Sequence, residues 1–124
     1  HDQIESSAPG CVRHIAVHSF TPVFNGTVRQ TDLGILFDPK RPRARRYAHA
    51  LQRILQHLLP AYRVRRNYPY IGYSEGLPLY FGKRFADRRY VGIEIEINNK
   101  HLRADTQRKR EIMHALSEAL IRVR

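Results

Sequence analysis

With 124 residues the chain is long enough for one hydrophobic core and short for two, so it is read as a single domain over 1–124. Twenty-two Lys and Arg oppose eleven Asp and Glu, a formal charge of +11, while 42% hydrophobic content and twelve aromatics exclude a disordered tail. No apolar run reaches the ~18 residues a membrane span needs. The single cysteine rules out a disulfide framework or a cysteine-built zinc cage, and His1-Asp2-Gln3-Ile4-Glu5 lacks a signal-peptide pattern, so a cytoplasmic protein is expected.

Residues 1–10 read as a polar lead-in. Val12–His18, rich in β-branched side chains and closed by Pro22, predicts a buried strand. Asn25-Gly26 is a turn dipeptide, and Leu33–Phe37 a second short apolar run. A helix is expected from Asp38-Pro39 to Pro60, because Tyr47, Leu51, Ile54, Leu55 and Leu58 share one face of a 3.6-residue period. Tyr62–Arg66 alternates like a strand ending at Asn67-Tyr68-Pro69-Tyr70. The Gly and Pro residues of 71–87 predict a long irregular loop. Tyr90–Ile97 alternates strictly, and a last helix is expected from Asp105, with Ile112, Leu116, Leu120 and Val123 on one face. Strands alternating with helices predict an α/β fold with a mainly parallel sheet and helices on its faces.

Four constellations could carry chemistry. His18 stands at a strand's carboxyl end, where α/β sheets collect ligands, and neutral imidazole is a good zinc donor. For both His18 and, more so, His14, a histidine hydrogen-bonded within the core is the first reading. Glu94 and Glu96 share one face of a strand whose other face is Ile93, Ile95 and Ile97. On a central strand these carboxylates need partners or ligands, and their mutual repulsion raises one pKa, as a proton shuttle requires; on an edge strand they are merely solvated. Asn67-Tyr68-Pro69-Tyr70, together with Arg29 and Asp32, places donors at strand ends, although turn chemistry explains the same residues. Finally, Lys40–Arg46, Arg63–Arg66 and Lys83–Arg89 are basic clusters, read as solvated faces in preference to a nucleic-acid or polyanion surface.

In order and spacing, His18-Ser19-Phe20-Thr21-Pro22-Val23, Gly26-Thr27-Val28-Arg29 with Asp32–Leu36, Asn67-Tyr68-Pro69-Tyr70 and Tyr90–Asn98 resemble the N-formylglutamate amidohydrolase family. The resemblance, over about residues 12–120, implies a three-layer αβα domain with a mainly parallel mixed sheet, similar to zinc carboxypeptidases and aspartoacylases. It implies one Zn2+ with His18 as a ligand, and hydrolysis of the amide of an N-acyl amino acid such as N-formylglutamate. A strand glutamate then moves the protons: Glu96 by the Glu96-Ile97-Asn98 step, or Glu94, since Gly92-Ile93-Glu94 also fits an aspartoacylase-like pattern. Arg29, Asn67 and Tyr70 are the implied contacts to the substrate's carboxylate.

The chain also departs from that family. Members are about twice as long, and the His and acidic residue that complete the zinc site in their N-terminal half have no counterpart here. Lys100 and Ile71 stand where an acidic residue and an Arg are common. The sequence therefore reads as the C-terminal half of such a domain, incomplete relative to the family, with a sheet edge left for self-association or a missing partner. A fold that has lost its chemistry, or a basic polyanion-binding module, are the competing readings.

Overall fold

A computed structural model describes residues 10–68, 77–103 and 107–123, with the backbone alone for 77–80. In chain order the elements are β1 (Val12–Phe20), β2 (Val23–Phe24), β3 (Thr27–Val28), β4 (Leu33–Leu36), α1 (Pro42–Leu58), β5 (Val64–Arg66), α2 (Leu77–Arg84), β6 (Tyr90–Asn98), a 3-10 turn (Asn99–His101) and α3 (Gln107–Arg122). Four strands form the main sheet in the order β1-β6-β4-β5. β1 and β6 are parallel, β4 and β5 are parallel, and β4 and β6 are antiparallel. The α/β fold with a mainly parallel mixed sheet is thus observed.

The period-2 pattern of β6 divides the sheet into two faces. Ile93, Ile95 and Ile97, all at most 2% exposed, point with Leu33, Ile35 and Val64 toward α1 and α3. There they meet Leu51, Leu55, Ile112 and Ala119, all fully buried. Each leucine buried in this way contributes about 1.5–3 kcal/mol. The opposite face carries Tyr90, Glu94, Glu96 and Asn98, and α2 lies over its start through Phe81, Phe85 and Tyr90. Helices therefore sit on both sides of the sheet.

Several expectations change. β1 is an outer strand that pairs with β6 alone among the described residues, and Val17 is 50% exposed, so it is not a buried strand. Strand order decides this, and a local pattern cannot supply it. The first helix starts at Pro42, whose missing N–H suits the first turn; Asp38 instead closes a tight turn by accepting from the Lys40 amide. The strand expected over Tyr62–Arg66 is shorter, Val64–Arg66. Residues 77–84, read as loop, are helical. Pro78 falls in the first turn, where proline is tolerated, and Arg41 stabilises the end of the helix. Its guanidinium donates to the Gly82, Phe85 and Tyr90 carbonyls at 2.9, 3.1 and 2.9 Å, placing a positive charge at the negative end of α2. The expected N-cap, Asp105, and the lead-in 1–9 lie outside the described residues.

Candidate functional site

The carboxyl ends of the parallel strands β1 and β6 lie side by side, and their register brings His18 level with Glu96 and Phe20 level with Asn98. Residues paired in this way share a face, so the His18 and Glu96 backbones are one strand spacing, about 4.8 Å, apart on the polar face. β6 is the inner strand, which leaves Glu96 only 5% exposed, whereas His18 on the outer strand is open to solvent. Glu94 stands one step earlier beside Ala16 and is half-buried.

Glu96 is held in an unusual state. Burial pushes its carboxyl up to about 6, and the Glu94 charge pushes in the same direction; His18 and Arg29 oppose the shift. Its Oε2 is buried with no hydrogen-bond partner among the described residues. A buried unpaired carboxylate oxygen is costly, so this atom is poised to accept a proton or meet a ligand.

Arg29 comes to the same end of the sheet by way of a hairpin. Asn25 and Gly26 take φ of 50° and 76°, the left-handed pair that a two-residue β-turn needs, and β2 and β3 fold back on each other. The Arg29 amide donates to the Pro22 carbonyl at 2.7 Å, and the guanidinium lies over the Phe20 and Phe24 rings, 5.7 and 4.7 Å from their centroids. Asn98, fully buried, donates through Nδ2 to the Arg29 and Thr31 carbonyls, fastening the loop to β6. His18, Glu96 and Arg29 are therefore brought together.

The remaining residues are placed differently. Asn67 follows β5, the opposite outer strand, at φ 50°. Its Oδ1 accepts from the Phe37 amide at 3.0 Å, so that oxygen serves the turn. The next residue still reaches the site: the Tyr68 carbonyl presses onto Gly34 of β4, the residue level with Glu96, and a Cβ at Gly34 would land on that carbonyl. Only glycine allows the chain to cross here. Tyr70 lies outside the described residues. His14 is a packed histidine, with Nδ1 2.7 Å from the Tyr90 hydroxyl and its ring against Phe81; burial lowers its pKa.

Sequence reading missed a second acid–histidine pair. Asp32 Oδ1 lies 2.6 Å from His101 Nε2 and 3.5 Å from Lys100 Nζ, and its Oδ2 accepts from the Arg63 amide at 2.7 Å. The partners are 69 positions apart, and no local pattern announces them.

In kind, the donors at the first site suit zinc, since imidazole and carboxylate are its usual nitrogen and oxygen ligands. In number they form part of a set. A catalytic zinc takes three protein ligands, and no group of three or more His, Cys, Asp or Glu converges among the described residues. Among the same residues no helix is long and apolar enough to cross a membrane.

No family model and no curated protein matches the sequence. The fold is similar to a solved protein described as gene product Atu2144 from Agrobacterium tumefaciens, with a TM-score of 0.61 and 25% identity. The match covers 98% of this chain and 49% of that one, so the chain spans about half the length of its structural neighbour.

Proposed function

We propose that this chain supplies the proton-transfer part of a zinc-dependent amidohydrolase that cleaves the linear amide of an N-acyl amino acid such as N-formylglutamate. The observation that carries the reading is a buried carboxyl with an unpartnered oxygen, Glu96, in register with the solvent-facing imidazole of His18.

In this reading His18 is one zinc ligand, and the remaining ligands come from outside the described residues or from a partner. Zinc bound there would supply Lewis acidity toward the amide carbonyl. Glu96 takes a proton at Oε2 from the water that attacks the amide carbonyl. It returns that proton to the nitrogen as the C–N bond breaks, leaving a carboxylic acid and a free amine. A carboxyl balanced near 6 both accepts and donates at neutral pH, which one at the ordinary glutamate value does less well. Glu94 keeps that balance high by repulsion. Arg29, its guanidinium braced on two aromatic faces, offers a planar pair of donors to the substrate's carboxylate. Asn67, which leads into the Tyr68 crossing at Gly34, and Tyr70 would add contacts to the substrate's carboxylate, as the family resemblance implies. A cytoplasmic setting and a companion half, or a second copy on the edge of β1 that no described strand covers, go with this reading.

The test is hydrolysis of N-formylglutamate by zinc-loaded protein. Glu96→Gln is expected to lower turnover by about 10²–10⁴-fold, and Glu94→Gln by less. His18→Ala is expected to lose bound zinc by elemental analysis. Undiminished turnover in Glu96→Gln, or zinc retained in His18→Ala, overturns the assignment.

A further inference from the structure

The opposite edge of the sheet carries a cleft whose charged residues the amidohydrolase reading does not use, although Asn67 belongs to both. It has a volume of about 700 Å³ and lies between β5 and α1, with Arg45, His49, Arg65 and Arg66 on its walls and Phe37 and Tyr68 as apolar sides. Arg65 and Arg66 are neighbours on a strand and so leave it on opposite sides, while Arg45 and His49 are one turn apart on α1 and face the same way.

We propose that this cleft is a binding site for a phosphate-bearing anion, gripped by Arg45 and Arg66 around His49, with Arg65 reaching its rim from the other side of β5.

Three observations converge on an anion. First, among the described residues the wall contains no acidic side chain and none of the three arginines is in a salt bridge. Second, their partners among the described residues are neutral. Arg45 donates to the Pro39 carbonyl at 2.9 Å, Arg66 to the His49 ring, and the Arg65 guanidinium stacks 5.3 Å from the centre of the Tyr68 ring. A guanidinium carries five N–H donors, so most remain unspent. Third, His49 senses the excess charge. Burial lowers its pKa, and the charges of Arg66, Arg45 and Arg53 lower it further; the Phe37 ring edge packs on it at 6.0 Å. Positive charge concentrated between apolar walls attracts counter-ions. Three planar forks suit the several oxygens and double charge of a phosphate group better than the single charge of a carboxylate.

The source of the phosphate is either a free compound or the backbone of a single-stranded nucleic acid, and both meet the same arginines. The experiment follows the His49 imidazole by NMR while inorganic pyrophosphate is added, with sodium chloride at matched ionic strength as reference. Saturable binding with a rise of about one unit in the His49 midpoint is expected, because the anion offsets the arginine charges. Arg65→Ser/Arg66→Ser is expected to weaken binding by about tenfold or more. Lys83→Ser/Arg84→Ser, which removes the same charge elsewhere, is expected to leave it nearly intact. A single-stranded oligonucleotide then separates the sources. Tighter binding than pyrophosphate, with a salt slope that drops by about two in Arg65→Ser/Arg66→Ser, identifies a backbone. Equal or weaker binding identifies a free phosphate compound. No saturable shift at His49, a shift that chloride reproduces, or equal weakening in the two double variants overturns the proposal.

Discussion

Two acid–histidine pairs flank the end of β6 and have opposite character. Asp32 and His101 are finished: both carboxylate oxygens of Asp32 have partners, among them a backbone amide, and His101 is 4% exposed. Glu96 and His18 are unfinished: one oxygen is orphaned, the imidazole faces solvent, and the carboxyl is held near 6. The first arrangement is what a fold needs, since a satisfied buried network fixes one geometry. The second is what a site needs, since it leaves capacity for something else. Residue type does not distinguish them; satisfaction does.

The contrast can be broken from either side. The largest effect is expected for Asp32→Ala, which strands His101 and the Arg63 amide. It should lose about 3–5 kcal/mol in denaturant unfolding, as removing one partner of a buried pair does. Gly34→Ala forces the Tyr68 carbonyl away from β4 and is expected to cost about 1–3 kcal/mol, with turnover falling as well because the displaced segment borders Glu96.

Glu96→Gln should move stability the other way. A carboxyl raised to about 6 in the folded chain disfavours the ionised native state. That penalty is absent below the ordinary glutamate value near 4.5, grows as pH rises through 6 and is complete above it. Removing the charge is therefore expected to gain about 2 kcal/mol at pH 8 and nothing at pH 4, read from unfolding curves at the two pH values. The smallest effect belongs to His18→Ala. With its side chain in solvent, it should change stability by less than about 0.5 kcal/mol, so any loss of zinc or turnover reports function alone.

Much of this was legible in the residues. The alternation of Tyr90–Asn98 separates the isoleucines from Glu94 and Glu96, and once β6 is known to be an inner strand that separation makes Glu96 a buried acid. The apolar stripe of α1 likewise marks Tyr47, Leu51 and Leu55, all buried as expected. What escaped depended on distant partners. Lys40–Arg46 reads as one basic run, yet it divides three ways. Arg41 caps α2, Arg43 binds the Arg88 carbonyl and Arg45 enters the cleft. Helix α2 was hidden because Pro78 and Gly82 are loop signals unless a remote guanidinium satisfies the end of the turn. His101 needed Asp32, and nothing near either residue says so.

The long β1–β6 pairing has a kinetic consequence. It joins segments far apart in the chain, as in the bond between His14 and Tyr90, 76 positions apart. Closing such a loop costs about 4 kcal/mol in chain entropy before any contact repays it. β4, α1 and β5 are neighbours in sequence and need no comparable closure. β6 pairs with β4 over 58–64 positions at similar closure cost. It is therefore the outer place of β1, with Val17, His18 and Ser19 exposed, that is expected to make it open first, giving its amides weaker hydrogen-exchange protection than those β6 shares with β4. Since β1 carries His18, the strand that completes the candidate site would also be the one the folded chain releases most readily.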